Sequence, residues 1–294
     1  DALAIKPDAR AASALPRLQA VVDARRRGSD LRVAPHDSLC PGLHAATTSQ
    51  VRVHSNLVVT LRQVPLSSTG GRLWHAGQVL AHWLCSPSSH GSKLLAKHDS
   101  VNSSFLEVGS GVGLVGLAIA ASTSHLAIQM TDCDREALDN LKVELHLNAY
   151  QTASAVGQRV DVVEFDYTSV SALAAGKYDV VAGSDVIFTE SHANLADVLA
   201  QLLTPHGVGI LCSPEGRVGI AEFMKRCHHA GLELRRLAVQ DELLVQARDE
   251  TEEEDLSEGR THYLYLIGWP DGMADALCLL GDSRWVPCAG KGSV

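Results

Sequence analysis

Phe105-Leu106-Glu107-Val108-Gly109-Ser110-Gly111-Val112-Gly113-Leu114-Val115-Gly116 is the stretch that decides the fold of this chain. Its four glycines follow a short apolar run and precede Leu117 to Ala121, which are good helix formers. The pattern predicts a strand, a tight glycine loop and a helix. Glycine is favoured in such a loop because a Cβ would keep a ligand away from the backbone and would disfavour positive φ. Loop N–H groups at a helix N-terminus predict a cofactor site.

Two classes of cofactor fit this glycine loop. Residues 111–116 match G-x-G-x-x-G, and Asp132 lies about 20 residues further on, as in dinucleotide-binding proteins. Glu107 favours a different cofactor, because a carboxylate two residues before Gly109 would repel a pyrophosphate. The same carboxylate would attract the sulfonium and ammonium groups of S-adenosylmethionine. The sequence therefore favours S-adenosylmethionine over NAD.

The composition is that of a globular protein, with 294 residues, of which 46% are hydrophobic and 20% charged. The formal net charge of -9 argues against nucleic acid and anionic membranes as partners, because both bind basic surfaces. No segment approaches the roughly 20 apolar residues of a membrane span, and the first residues lack the pattern of a signal peptide. The seven cysteines lack zinc-site spacing, so we expect no metal and a reducing compartment, the cytoplasm, with the nucleus as a second location.

Strands and helices are predicted to alternate from Ser104 onward. Strands are expected at 104–108, 126–131, 160–164, 178–183, 207–212, 232–239 and 262–268. Helices are expected at 113–122, 134–148, 169–175, 191–203 and 217–230. This order predicts an α/β fold of Rossmann type, with a doubly wound, mostly parallel, seven-stranded sheet. Ligands of such a sheet bind beyond the carboxyl ends of its strands.

The remaining segments predict an extension at each end of this domain. Residues 1–70 are expected to form an N-terminal helix over 11–27 and a β-hairpin within 51–64, with Ser55-Asn56 at its turn. The domain would span 71–270, beginning with a helix over 74–85 and a polar loop over 86–104. Residues 271–294 are predicted as a C-terminal tail. An acidic run over 249–258 is expected to be a solvated loop, or alternatively to attract a basic peptide.

Acidic side chains end the first two strands of the predicted sheet. Glu107 ends the first strand and Asp132 ends the second, where a carboxylate can accept hydrogen bonds from both hydroxyls of a ribose. Asp134 stands where the next helix begins, so we interpret it as the N-cap.

Polar residues also end the third and fourth strands. After the third strand, Asp166 can accept a hydrogen bond from an adenine amino group, and Tyr167 can cover the ring. A simple turn after the strand is the alternative interpretation of this pair. Ser184 and Asp185 end the fourth strand, so Asp185 is expected to reach the middle of the cleft.

Together these motifs resemble those of the class I, seven-β-strand methyltransferases that depend on S-adenosylmethionine, and among them the family-16 protein-lysine methyltransferases. The resemblance covers residues 70–268 and rests on Leu73-Trp74 with Val79-Leu80-Ala81, on 106–117, on Thr131-Asp132 with Leu141 and Asn148, and on 184–188. We therefore predict ten cofactor-binding residues: Trp74, Glu107, Gly109, Ser110, Gly111, Gly113, Asp132, Asp166, Tyr167 and Ser184. Two catalytic residues are predicted at the mouth of the site, Asp185 and Phe188.

The chain departs from the family pattern at two positions. The third-strand element is commonly Asp-Trp, and here it is Asp166-Tyr167, which preserves an aromatic ring. Phe188 stands where Tyr is more common, so the mechanism should not depend on a phenol.

The resemblance implies an S-adenosylmethionine-dependent protein N-methyltransferase that modifies a lysine, releases S-adenosylhomocysteine and acts as a monomer. A lysine must be neutral to attack, which costs about 4.6 kcal/mol at pH 7 for a reference pKa near 10.4. Burial against Trp74 and Phe188 would lower this cost, and Asp185 would orient the amine.

The protein substrate is left open between three branches of the family. Residues 209–217 and 262–267 are similar to the calmodulin-lysine branch. The acidic run over 249–258 would repel acidic calmodulin, which favours the elongation-factor and chaperone branches.

Other functions also stay open from the sequence. An NAD(P)-dependent oxidoreductase would need a His or Tyr acid in the later strands. A non-catalytic binding module would have the methyltransferase-like fold without the activity. Methylation of a histidine, an arginine or a small molecule is a further alternative.

Overall fold

The described strands form two sheets, a two-stranded hairpin and a larger eight-stranded sheet. This computed structural model describes residues 46–65, 69–148, 160–168, 176–239, 261–281 and 284–288. The hairpin strands are β1 (Thr47–His54) and β2 (Leu57–Gln63). The sheet strands are β3 (Ser104–Glu107), β4 (Ala127–Asp132), β5 (Val160–Glu164), β6 (Tyr178–Ser184), β7 (Leu203–Pro214), β8 (Glu233–Ala238), β9 (His262–Gly268) and β10 (Val286–Pro287). All seven predicted sheet strands are confirmed, and β10 adds a two-residue edge strand.

The described residues contain seven α-helices and two 3₁₀ turns. The helices are α1 (His75–Cys85), α2 (His90–His98), α3 (Leu114–Ser122), α4 (Arg135–Leu147), α5 (Leu195–Leu202), α6 (Ile220–His229) and α7 (Pro270–Leu280). The 3₁₀ turns are Thr69–Gly71 and Glu190–Asn194. No helix within the described ranges is long and apolar enough to cross a membrane. The helices predicted over 11–27 and 169–175 and the acidic run over 249–258 lie outside the described residues.

The order of the strands places a crevice at the centre of the sheet. Across the sheet the order is β10-β8-β9-β7-β6-β3-β4-β5. Pairing is parallel from β7 through β6, β3 and β4 to β5, and antiparallel at β9, β8 and β10. The chain runs outward from β3 to β5 and returns to β6 on the other side of β3. The loops that follow β3 and β6 therefore diverge, and ligands bind at such a switch point.

The sheet is covered on both faces, which explains its nearly continuous apolar strands. In β9, Leu264 and Leu266 face a core shared with the hairpin and with α1, α2, α3, α4 and α7. Tyr265 and Ile267 face a second core, shared with α5 and α6. Full burial of one such side chain stabilises the fold by about 1.5–3 kcal/mol.

Two helices lie where the sequence predicts irregular structure. The predicted loop over 86–104 contains α2, whose N-cap Ser89 accepts a hydrogen bond from the N–H of Ser92. Leu94 and Leu95 of α2 are buried in the first core, although its serines and histidines suggested a loop. The segment predicted as a tail, 271–294, contributes most of α7, in which Met273 is fully buried, and the edge strand β10.

The hairpin is confirmed, with its turn at Ser55-Asn56, and side chains of α4 cover its outer edge. Asn148, which follows α4, accepts from the N–H of Thr60 over 2.9 Å and donates to its carbonyl over 2.8 Å. Arg62, two residues on, is bound in the same way: Glu144 accepts from its N–H and Asn140 donates to its carbonyl, both over 2.9 Å. These three side chains thus pair with β2 as a neighbouring strand would.

Burial of Glu144 predicts that the contribution of its side chain to the stability of the fold depends on pH. Burial raises the pKa of Glu144 well above its ordinary value. The folded protein therefore holds this proton at pH values where the unfolded chain has lost it, and stability falls as pH rises above that ordinary value. We expect Glu144→Gln to remove this part of the pH dependence, and Glu144→Ala to cost about 1–3 kcal/mol by leaving buried donors unpaired.

Urea unfolding of both variants between pH 5 and pH 8 checks this expectation. Glu136→Gln is the matched control, because Glu136 is an exposed carboxylate of the same helix. An unchanged pH slope in Glu144→Gln would contradict the proposed burial of the proton.

Candidate active site

A cavity of about 250 Å³ opens at the switch point, beyond the carboxyl ends of β3, β4 and β6. Eleven of the twelve predicted site residues line it: Trp74, Glu107, Gly109, Ser110, Gly111, Asp132, Asp166, Tyr167, Ser184, Asp185 and Phe188. They come together because parallel strands end at the same edge of a sheet.

Gly113, the twelfth predicted residue, is not among the residues that line the cavity. It is the N-cap of α3, with φ of 76°, and its N–H donates to the carbonyl of Ser110 over 2.7 Å. A Cβ at this position would lie 2.5 Å from Leu141 and 2.6 Å from Met130. Glycine is thus required here by the backbone turn and by the packing of the core.

The glycine loop is tied to β4 by a reciprocal pair of hydrogen bonds. The N–H of Ser110 donates to the carbonyl of Thr131 over 2.7 Å, and its Oγ accepts from the N–H of Thr131 over 3.0 Å. Gly109 and Gly111 have φ of 60° and 52°, a region that favours glycine. The loop also approaches the 3₁₀ turn, since a Cβ on Gly111 would lie 3.1 Å from the carbonyl oxygen of Gly70.

Carboxylates of the protein accept hydrogen bonds from two N–H groups of the glycine loop and the helix that follows it. The N–H of Gly111 donates to Oδ2 of Asp132, and the N–H of Gly116, in the first turn of α3, donates to Oε2 of Glu107, both over 3.0 Å. A dinucleotide site instead presents such groups to phosphate oxygens. The loop therefore matches the G-x-G-x-x-G pattern, but two of its N–H groups donate to carboxylates of the protein.

The charge of the lining favours a cationic ligand. Five carboxyl groups line the cavity, against Arg72 and His192 as the basic residues among them; the acids are Glu107, Asp132, Asp134, Asp166 and Asp185. Asp134 also caps α4, as predicted, by accepting from the N–H of Glu136. An acidic cavity with a glycine floor fits the ammonium, sulfonium and ribose of S-adenosylmethionine and disfavours a pyrophosphate.

Glu107 is buried deeply enough to change its protonation. Its exposed fraction is 2%, and burial raises its pKa to about 8, against hydrogen bonds from Ser110 and Gly116 that favour the carboxylate. Burial also raises the pKa of Asp132. A cation bound beside Glu107 would favour its ionised form.

Trp74 lies at the start of α1, on the wall that the 3₁₀ turn completes. Its indole Nε1 donates to the carbonyl of Thr69 over 3.0 Å. The guanidinium of Arg72 lies over its ring, 4.1 Å from the centroid, within cation–π distance. Two contacts thus hold the orientation of the indole at the cavity.

Asp166 and Tyr167 lie in a turn after β5, which is the alternative interpretation of this pair. Oδ1 of Asp166 accepts from the N–H and the hydroxyl of Thr168, which is the hydrogen bonding of a turn. Tyr167 is buried in the wall, and its hydroxyl donates to the carbonyl of Val186 over 2.8 Å. Both residues nonetheless line the cavity.

The mouth of the cavity combines a buried carboxylate with an exposed aromatic ring. Asp185 follows β6 with φ of 52° and is buried. Phe188 is 40% exposed, and its ring meets that of His192 edge-on, with centroids 4.2 Å apart. An incoming side chain would therefore pass an apolar ring before it reaches a carboxylate.

Sequence reasoning missed several residues of this site. Arg72, Cys133 and His192 line the cavity, and Arg217 forms an ion pair with Asp185. Arg72 is adjacent to the Leu73-Trp74 motif, and Arg217 follows a predicted strand. Their positions in the sequence could therefore have indicated the site, whereas an arginine alone does not. In the described residues, no three His, Cys, Asp or Glu side chains are grouped as metal ligands.

Glu107 predicts that a cationic ligand binds more tightly as pH rises. Since burial raises the pKa of Glu107 to about 8, a sulfonium bound beside it should release the proton of this carboxyl, and affinity for S-adenosylmethionine should rise severalfold between pH 6 and pH 7.5. Calorimetric titrations in two buffers with different ionisation enthalpies would measure the released proton. Glu107→Gln should abolish the release; an equal release in this variant would show that another group titrates.

Known proteins resemble this chain in sequence and in fold. It is 31% identical to the mouse protein-lysine N-methyltransferase EEF2KMT over 144 residues, which cover 46% of the chain and 40% of that protein. It is 28% identical to the Bos taurus EEF2KMT, covering 61% of the chain and 59% of that protein. For the calmodulin-lysine N-methyltransferase of Arabidopsis thaliana the identity is 28%, covering 43% and 42%. The chain thus spans less than two thirds of these relatives.

The fold is shared with a solved methyltransferase. The 16S rRNA N2 G1207 methyltransferase RsmC of T. thermophilus, in complex with AdoMet and guanosine, superimposes with a TM-score of 0.51 at 15% identity. The match covers 80% of this chain and 53% of that protein. The sequence model of the family described as lysine methyltransferase matches residues 54–230, which include every residue placed at the cavity above. The chain therefore belongs to the lysine methyltransferase family, whose cofactor is S-adenosylmethionine.

Proposed function

We propose that the protein is an S-adenosylmethionine-dependent protein N-methyltransferase that modifies a lysine side chain of a specific protein. The observation that carries this proposal is the acidic cavity at the switch point, whose glycine loop donates to Asp132 and Glu107. This arrangement suits a cationic cofactor without phosphates, and it speaks against the dinucleotide alternative. Family membership supports lysine as the acceptor.

The residues that would hold the cofactor are those at the ends of β3, β4 and β5. The glycine loop would receive it at close range, Glu107 would balance positive charge, and Asp132 would accept hydroxyl hydrogen bonds. Asp166 and Tyr167 would border an aromatic ring system. When bound, S-adenosylmethionine supplies a methyl group to the nitrogen lone pair, and the electrons of the broken carbon–sulfur bond stay on sulfur.

The surface at the mouth supports a protein rather than a small molecule as substrate. Phe188 and Val218 are two exposed apolar side chains, 40% and 57% accessible. They belong to neighbouring segments, since a Cβ on Gly219 would lie 2.3 Å from the carbonyl oxygen of Thr189. Exposed apolar side chains on two adjoining segments, one of them at the cavity, suit the docking of a peptide segment. The lysine stem would pass Phe188, and its nitrogen would reach Asp185.

The candidates for the protein substrate come from the family alone. We propose an elongation factor, a chaperone or a calmodulin-type protein, in the cytoplasm or the nucleus, modified by a monomeric enzyme that requires neither nucleic acid nor membrane. Two of the relatives described above are protein-lysine methyltransferases and a third is a calmodulin-lysine methyltransferase, which supports a protein partner.

Calorimetric titration with S-adenosylhomocysteine, paired with NADH, tests the cofactor. We expect micromolar binding of the first and none of the second, because two loop donors are already bound to carboxylates and the acidic lining would repel a pyrophosphate. Transfer of a labelled methyl group to one protein of a cell lysate should then be seen, with purified elongation factor, chaperone and calmodulin as candidates. Cofactor binding with no transfer to any protein would favour a non-catalytic binding module.

Asp185 should matter for turnover and little for cofactor binding. We expect Asp185→Asn, which tolerates the left-handed backbone, to lower kcat at least a hundredfold and to change affinity for S-adenosylhomocysteine less than about threefold. Asp185→Ala should lose turnover as well. The control is Asp275→Asn, a half-exposed surface carboxylate that pairs with Lys97. Full turnover in Asp185→Asn would refute the assigned role.

A further inference from the structure

Asp185 is bound by a second residue, Arg217, in a two-pronged ion pair. The Nε of Arg217 donates to Oδ1 over 2.8 Å, and its Nη2 donates to Oδ2. The side chains are 6% exposed for Asp185 and 18% exposed for Arg217. Asp185 lines the cavity and Arg217 does not, so Arg217 acts on the cavity through Asp185.

The backbone on both sides of this pair is held in place. Asp185 is the one non-glycine residue with positive φ among the described residues, and its N–H donates to the carbonyl of Cys212 over 2.8 Å. Arg217 lies between Gly216 and Gly219, which have φ of 80° and 94°. A Cβ at Gly219 would lie 2.3 Å from the carbonyl oxygen of Thr189, so the two segments are in backbone contact. The ion pair thus joins two loops that glycines allow to meet.

Charge at this position affects the protonation of an incoming amine. A lone carboxylate favours the ammonium form of a lysine, which has no lone pair with which to attack. A carboxylate already paired with a guanidinium has little net charge and favours the ammonium form less. Its oxygens can still accept a hydrogen bond from a neutral amine, because each carboxylate oxygen has two lone pairs.

We propose that Arg217 is a positioning residue, which fixes the carboxylate of Asp185 and balances its charge so that the site receives the acceptor lysine as a neutral amine. This inference rests on the proposed function and assigns the protonation state of its substrate. The lysine loses its proton to water before it enters, and Asp185 orients the amine through a hydrogen bond.

The pKa values of other titratable groups near Asp185 do not explain a preference for the neutral amine at neutral to alkaline pH. Burial raises the pKa of the Tyr167 phenol and of the Cys212 thiol, and the charge of Asp185 raises both further. Burial lowers the pKa of His192, which lies against Phe188, so His192 titrates on the acid side. Burial raises the pKa of Glu107 in the same cavity, and the contribution of Glu107 is common to all variants of Arg217.

Binding of n-butylamine, a probe for the lysine side chain, tests the inference without turnover. In the complex with S-adenosylhomocysteine, we expect affinity for the wild-type protein, followed by NMR, to rise more than tenfold from pH 7 to pH 10, as the neutral amine forms. In Arg217→Gln the rise should be less than about threefold, because unpaired Asp185 binds the ammonium form. Arg217→Lys should restore much of the wild-type rise, and it serves as the second variant if Arg217→Gln does not fold.

The control is Lys225→Gln, which removes one positive charge from an exposed side chain of α6. It should bind the amine like the wild type, so a general charge effect is separated from a local one. Affinity for S-adenosylhomocysteine within about threefold of wild type would verify that each variant is folded. Equal pH dependence of amine binding in wild type and Arg217→Gln, or no amine binding by the wild type, would overturn the inference.

Turnover on the protein substrate gives a second readout. In Arg217→Gln we expect kcat at pH 7.5 to fall about tenfold and KM to stay equal or fall. The difference in kcat between this variant and the wild type should become smaller toward pH 9.5. An equal loss of kcat at all pH values would indicate a structural role and overturn the assignment. Wild-type preference for the neutral amine, without transfer to any protein, would refute the protein substrate and leave the role of Arg217 standing.

Discussion

The site depends on hydrogen bonds from the glycine loop to two buried carboxylates, Glu107 and Asp132. These bonds fix the path of the loop, because the N–H groups of Gly111 and Gly116 both donate to side chains at the ends of neighbouring strands. They also hold two carboxyl groups where burial raises their pKa values, so that ionisation of Glu107 is unfavourable until a cation binds beside it. The same contacts thus shape the cavity and select the charge of its ligand. A loop with the same glycines and no acids would leave its donors available to phosphate.

Much of the fold could be predicted from the sequence, because the signals were local. Glu107 and Asp132 end predicted strands and Asp166 follows another, so these three acids could be placed at one edge of the sheet from the sequence alone. Helix α2 could not be predicted, because its apolar residues, Leu94 and Leu95, are few among serines and histidines. Its stability comes from tertiary packing, which the segment alone does not encode.

The parts of the site that could not be predicted depend on contacts between distant segments. Whether a Cβ at Gly113 would face a ligand or the core is decided by Leu141 and Met130, which belong to other elements. Arg217 lies 32 residues after Asp185, and only the meeting of two loops brings them together. Sequence motifs identified the carboxylate at the cavity, whereas its partner became apparent only from the folded chain.

The covering of β2 has a consequence for how the protein behaves before it is fully folded and at high concentration. A two-stranded hairpin leaves a row of backbone donors and acceptors along its outer edge, and such an edge can template pairing with another molecule. Here Asn148, Glu144 and Asn140 satisfy that edge at Thr60 and Arg62. The protection depends on α4 being folded, so aggregation through the hairpin is suppressed only in chains whose adjacent helix has already formed.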